Sequence, residues 1–386
     1  MMVLPCQKQF FEIPDDVTYL NCSYLSPMFE SIKKAGIEGV MRKERPWEIK
    51  PKDFFEQSTQ LKQLFAKIVN AATNDIAIIP SVSYGIGIAV NNICMNPKEN
   101  IVVLEEQFPS NIYPWRSRDA NIITVERPQN HDWTQSVLQA IDDDTTAVSV
   151  PQCHWTDGSF VDVEKIGGVC RKKNIPLVID ATQSLGIFDF DVQKIRPAFV
   201  VAAGYKWLLG PYSLGFMYVH PDYQRSLPLE HNWLSRKGSE NFSQLVNYTD
   251  EYAPGACRFD VGERNNFVLL PMAMAALQQI LDWGVENIYR SVVSLVDTII
   301  ERIHDGNLTE KHDFEIIPQS FRCGHILGLR FRKSLPEGFG NKMSEQNVFV
   351  SIRSNVIRVS PYIYNSISDC EKFVQILDEV LEVQNA

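Results

Sequence analysis

Residues 177–211 read LVIDATQSLGIFDFDVQKIRPAFVVAAGYKWLLGP. Two short, almost wholly apolar runs stand in this stretch, Leu177–Ile179 and Phe199–Ala202. Strands buried on both faces of a parallel sheet have this character. The first run ends on a carboxylate, Asp180, and the second leads to an amine, Lys206, 26 residues downstream. In open parallel sheets ligands bind beyond the carboxyl ends of the strands, so both groups are candidates for one site. Taken singly, each is as readily a surface charge or half of a salt bridge at a sheet edge.

Working outward, further strands are expected at Ile76–Ile79, Ile101–Leu104, Ile122–Val125, Ala147–Val150 and Leu214–Val219. Helical stretches fall between them at Tyr84–Cys94, Asn111–Arg118, Thr134–Ile141 and Val161–Lys173. This alternation predicts an α/β domain built on a mainly parallel seven-stranded sheet flanked by helices. After Phe267 the pattern changes. Helices are expected over Leu270–Trp283 and Glu286–Ile303, short strands near Ile326–Phe331 and Val348–Val359, and a last amphipathic helix over Ser368–Val383. The expected organisation is an N-terminal arm (1–20), a large domain (21–265) and a smaller α+β C-terminal domain (266–386). A chain of 386 residues has room for two cores.

The balance of 37 basic and 47 acidic side chains gives a formal charge of −10. Phosphate-backbone binding needs clustered positive charge, and runs such as Arg171-Lys172-Lys173 read as the solvated end of a helix, so nucleic acid is not an expected partner. Met1 to Phe10 holds no apolar run of signal-peptide length, and no stretch is long enough to span a bilayer, so no membrane is expected either. The eight cysteines form no C-x-x-C and the seven histidines no H-E-x-x-H, so no metal is called for. Scattered single cysteines fit a reducing cytoplasm.

The segments D-A-T-Q (180–183) and G-Y-K-W-L-L-G-P (204–211), in this order and spacing, resemble the class V aminotransferase superfamily of pyridoxal-5′-phosphate (PLP) enzymes of fold type I. That superfamily includes aminotransferases, cysteine desulfurases, kynureninase and isopenicillin N epimerase. The resemblance extends from Tyr19-Leu20-Asn21 to Pro361-Tyr362-Ile363-Tyr364-Asn365. It implies a PLP cofactor carried as a Schiff base on Lys206. The amine must be deprotonated to attack, and the apolar neighbours Trp207, Leu208 and Leu209 would lower its pKa by desolvation. Asp180 takes the place of the acid that keeps a proton on the pyridine nitrogen. Gln183 stands where the family hydrogen-bonds the phenolic oxygen. Kynureninases and desulfurases often have histidine there, so the glutamine leans away from them.

Ser81-Val82-Ser83-Tyr84-Gly85 follows a strand and opens a helix, where unpaired N–H groups favour an anion. The resemblance puts Ser83 and Tyr84 at the cofactor phosphate, although the commoner family loop is Gly-Thr-Thr. Ser81 alone reads equally well as an N-cap. Gly85 and Gly87 do not complete G-x-G-x-x-G, which argues against a dinucleotide. Phe108 matches the aromatic that stacks on the pyridine ring. His154 and Trp155 match the stretch facing the phenolic oxygen and the substrate, His154 being readable also as a structural histidine and Cys153 as packing. Arg358 matches the arginine that grips the substrate carboxylate, with Arg353 a weaker candidate. Asn21, Ser23 and Tyr24 align with a loop bordering the substrate. Gly262–Asn265 matches a segment reaching the neighbouring subunit's phosphate site. No lysine or arginine lies in Ser81–Asn92, so Arg264 from a partner would offset the phosphate charge and a homodimer is expected, the alternative being that Arg264 pairs locally with Glu263 or Asp260 in a monomer.

Desulfurases carry a nucleophilic cysteine on the loop before the carboxylate-binding arginine, and Asn347–Val359 contains none. Transamination of an amino acid is therefore the first expectation. A PLP-dependent lyase, a kynureninase-like hydrolase or an epimerase is the alternative. A non-catalytic PLP-binding regulatory module is more remote, since such a protein would need neither Asp180 nor Lys206.

Overall fold

A computed structural model describes residues 3–93 and 98–385, so Cys94, the expected end of one helix, lies outside the described residues. Strands β1 (Thr18–Tyr19), β2 (Ile76–Ile79), β3 (Asn100–Leu104), β4 (Asn121–Val125), β5 (Thr145–Pro151), β6 (Leu177–Asp180), β7 (Phe199–Ala203) and β8 (Gly215–Val219) come first. Strands β9 (Phe314–Ile316), β10 (Leu327–Phe331), β11 (Val348–Phe349), β12 (Ser351–Arg353) and β13 (Val356–Val359) follow.

Strands β2 to β8 form one seven-stranded sheet in the order β2-β8-β7-β6-β5-β3-β4. Only β8 runs against its neighbours, so the sheet is mainly parallel, as the apolar runs predict. Successive side chains on a strand point to opposite faces. Thus Leu177 and Ile179 of β6 enter one core with Val200 and Ala202 of β7, while Val178, Phe199 and Val201 enter the other. Helices Glu56–Val69, Val163–Lys173 and Leu269–Trp283 cover the first face, and Val82–Ile93 covers the second. Both faces being dry explains why these strands read as continuous apolar runs.

The expected helix Asn111–Arg118 is reduced to a 3-10 turn at Pro109–Asn111 and a single α-turn at Tyr113–Arg116. Pro114 cannot donate the backbone hydrogen bond a longer helix would need.

The second sheet is antiparallel in the order β12-β13-β10-β9, and helices Val285–Asp305 and Ile367–Asn385 pack with it around a third core. Helix Val285–Asp305 gives Ile288 and Val292 to the core of the large sheet, and Val296, Ile299 and Ile303 to the third core. The chain therefore passes from one core to the other inside this helix rather than near Asn265. Residues 18–21 also join the C-terminal part. Strand β1 pairs with β11, Leu20 is buried in the third core, and Asn21 bridges to Ser360.

Among the described residues no helix is long and apolar enough to cross a membrane.

Candidate active site

All strands of the large sheet except β8 end at one edge, and the segments that leave them converge there. Pro80 to Ser83 follow β2, Phe108 follows β3, Cys153 and Trp155 follow β5, Asp180 closes β6, and Lys206 follows β7. They line a cavity of about 310 Å³, within the range of small-ligand sites.

A close approach of backbone holds the two deciding motifs together. Gly186 has φ of +92°, and a Cβ on it would lie 2.5 Å from the carbonyl oxygen of Trp207. Only glycine allows the turn after Asp180 to rest against the segment that carries Lys206.

Asp180 is buried, and its Oδ1 accepts from Thr182 N at 3.0 Å. Burial pushes its carboxyl upward, while Thr182 and the Lys206 charge pull it back. Lys206 is 8% exposed, and its Nζ lies 5.5 Å from the centre of the Phe108 ring. Its amine is pushed down to about 8, by burial first and by the Arg358 guanidinium second, with Asp180 acting the other way. Gln183 accepts from Trp207 Nε1 at 2.7 Å and donates from Nε2 to the Ser23 carbonyl at 3.1 Å. An amide nitrogen carries two hydrogens, so one remains for a ligand.

At the start of helix Val82–Ile93, Ser81 Oγ caps Tyr84 N at 3.2 Å and lies 3.0 Å from Ser83 Oγ. Two hydroxyls thus stand beside N–H groups that have no acceptor within the helix.

The structure brings Ser83, Phe108, Trp155, Asp180, Gln183 and Lys206 to the cavity wall and leaves the other expected residues behind or away from it. His154 is not brought in. It is fully buried, Nε2 lies 3.0 Å from the Glu105 carbonyl, Nδ1 lies 2.8 Å from Thr156 Oγ1, and the ring stacks on Trp133 at 5.4 Å. Burial lowers its pKa. With both nitrogens engaged inside the protein, it is placed as a structural histidine.

Arg264 is not at the cavity of its own chain either. The buried Asp260 carboxylate, bonded to Lys62 Nζ and Ile78 N at 2.7 Å each, draws Arg264 Nε to 3.3 Å. The Tyr84 phenol lies against Glu230 instead of the cavity. Asn21 accepts from Ser351 Oγ, Ser23 Oγ lies 2.6 Å from Ser360 Oγ, and Tyr24 is exposed.

Arg358 is buried directly behind Trp155. Its Nη1 donates to the Trp155 carbonyl at 2.6 Å, Nη2 donates to Ser351 Oγ at 3.3 Å, and Nε has no partner. Trp155 is further fixed by Nε1 donating to the Glu106 carbonyl at 2.6 Å and by an edge contact with Phe108 at 5.3 Å. Behind this wall lies an ion cluster. Arg127 and Arg330 both reach Asp157, at 2.6 and 3.1 Å, and both reach Glu106, at 2.9 and 3.4 Å. Arg330 lies on β10, so the cluster ties the second sheet to the strand-end loops.

Sequence reasoning missed Cys153, Tyr205 and Tyr212 as wall residues. Their place just after β5, just after β7 and just before β8 was the available signal.

The site suits PLP. A buried carboxylate is available for a ring nitrogen, a flat aromatic for a ring face, hydroxyls at a helix start for a phosphate, and a desolvated amine for an aldehyde.

The family model described as aminotransferase class-V matches residues 50–373. The chain is 24% identical to the uncharacterized aminotransferase YcbU of Bacillus subtilis, over 93% of each. It is 22% identical to the kynureninase of Shouchella clausii, covering 96% of this chain and 90% of that one. The apo cysteine desulfurase of Thermococcus onnurineus superposes with a TM-score of 0.84 at 16% identity, over 99% of this chain and 100% of that one. This structural likeness establishes the fold.

Proposed function

The chain belongs to the class-V aminotransferase family, and from that premise we propose that it is a PLP-dependent enzyme that transaminates an amino acid, with the cofactor on Lys206. The observation that carries this reading is the meeting, in one cavity, of a buried Asp180 and a desolvated Lys206. When bound there, the cofactor supplies an electron sink for charge developing on the substrate's α-carbon.

The chain's residues do the rest. Asp180 would keep a proton on the ring nitrogen. Ser83 and the helix start would hold the phosphate, Phe108 would face the ring, and the free Gln183 hydrogen would serve the phenolic oxygen. The Lys206 amine, its pKa lowered to about 8 by burial first, would serve as the base that takes and returns the α-proton. We assign the substrate carboxylate to Arg358, which stands behind Trp155 with its Nε unpaired.

The test is direct. Purified protein reconstituted with PLP should be yellow, and borohydride should fix the cofactor to the peptide containing Lys206. Label on another lysine, or no uptake of PLP, refutes the reading.

The pH dependence has a definite sign. With its pKa lowered to about 8, Lys206 is mostly the unreactive ammonium below pH 8 and mostly the free amine above it. Uptake of PLP by cofactor-free protein, followed by stopped-flow absorbance, should rise roughly tenfold per pH unit from 6 to 7 and level off above about 8. A midpoint near that of an ordinary lysine would contradict the desolvated setting.

We also infer a homodimer. The exposed side chains Tyr24, Leu25 and Met28 lie beside exposed Tyr212, linked through Tyr205, whose carbonyl accepts from Ser26 N and whose ring is 4.5 Å from Tyr212. An apolar patch at the mouth of a site suits coverage by a second copy. Sedimentation at working concentration should give twice the mass of one chain, and a fully active single chain would exclude this arrangement. We also propose a cytoplasmic location, since single cysteines scattered without paired spacing fit a reducing compartment.

A further inference from the structure

Strands β12 and β13 pair with Ser351 opposite Arg358 and Arg353 opposite Val356. Residues two apart on a strand share a face, and directly opposed residues share one as well. Arg353 and Arg358 therefore project from the same face, as diagonal neighbours across the hairpin. Both meet Trp155, the cavity wall. Arg358 donates to its carbonyl at 2.6 Å, and the Arg353 guanidinium lies 5.4 Å from the centre of its ring.

Like charges placed side by side on a sheet repel, and native structures usually offset them. The same wall shows how. Arg127 and Arg330 each touch two carboxylates. Among the described residues no carboxylate lies within 4.0 Å of Arg353 or Arg358. Arg353 Nη1 donates only to the adjacent Ile352 carbonyl at 2.8 Å, and its Nε has no partner. Stacking on an indole fixes the plane of a guanidinium while leaving its edge donors free. Burial first and the neighbouring Arg353 charge second lower Arg358, and Arg353 adds a smaller share to the lowering of Lys206 behind burial and Arg358.

An α-amino acid brings one carboxylate, enough for Arg358. We infer that Arg353 is a specificity-determining residue that receives a second acidic group, so that the preferred substrates are amino acids whose side chain ends in a carboxylate or an equivalent anion. This deepens the reading of the site and rests on Arg358 as the ligand of the α-carboxylate.

The test uses substrate-sized acids that lack an amine, titrated calorimetrically into the PLP-loaded enzyme. Succinate and glutarate are compared with propionate and butyrate. The better dicarboxylate should bind about tenfold more tightly than its monocarboxylate counterpart, the scale of one added charge-assisted contact. Arg353→Gln should bring that ratio close to one, and Arg353→Lys should keep part of it. Equal binding of the two classes by the wild type overturns the proposal, as does a preference that survives Arg353→Gln. Arg358→Lys separates the two assignments. If monocarboxylate affinity is unchanged in that variant, the α-carboxylate assignment fails. Loss of the dicarboxylate preference in Arg353→Gln supports the role of Arg353 in either case.

Discussion

Lys206→Ala lowers turnover by a factor on the order of 10⁴ or more while leaving the chain folded and able to take up PLP. The magnitude follows from the loss of two roles in one side chain, the attachment point for the cofactor and the base at the α-carbon. Folding should be little affected. No carboxylate lies within 4.0 Å of the Lys206 amine among the described residues, and the contacts of Nζ are with the faces of Phe108 and Tyr205. Its desolvated charge also opposes folding at neutral pH, so its removal relieves a cost. Urea unfolding checks the fold, visible absorbance checks the cofactor, and single-turnover kinetics check the chemistry. A variant retaining more than about 1% of wild-type turnover would contradict both roles.

Asp180→Asn keeps the shape and the hydrogen bond from Thr182 N but removes the charge. The expected loss in the rate of α-proton removal is on the order of 10²-fold or more, with PLP occupancy unchanged. A second readout guards against an indirect effect. The Asp180 carboxylate raises the Lys206 pKa against burial and Arg358, so its neutralisation must move the midpoint for PLP uptake below 8. Wild-type turnover in this variant would remove Asp180 from the mechanism, and an upward shift of the midpoint would contradict the electrostatics.

Much of the fold could be read from residues 76–219, because strands dry on both faces are apolar runs whatever packs on them. Asp180, Lys206, Phe108 and Trp155 were accessible for a related reason, since each follows a strand whose direction the parallel sheet dictates. What escaped the sequence depends on contacts between distant segments. His154 is adjacent to Trp155 in the chain, yet the Glu105 carbonyl and the Trp133 ring claim it. Arg264 pairs with Asp260, the local alternative, because Lys62 and Ile78 from distant segments bury Asp260 and leave it one more cation to accept. Strand β9, three residues with Glu315 at the centre, carries too little apolar pattern to be noticed. The division between cores inside helix Val285–Asp305 leaves no mark, because an amphipathic stripe looks the same whichever layer it covers.

The ion cluster behind Trp155 bears on how substrates are told apart. Asp157 is 1% exposed and shared by Arg127, from the loop after β4 of the large sheet, and Arg330, on β10 of the second. Swinging the second sheet outward would strip a buried carboxylate of one cation, a costly step that dissolved salt does little to ease at that depth. The wall formed by Trp155, with Arg353 and Arg358 packed behind it, is therefore held before any ligand arrives, and discrimination falls on the fit of a preformed surface rather than on the speed of a closing motion. Good and poor substrates should differ chiefly in how long they stay, with similar rates of arrival.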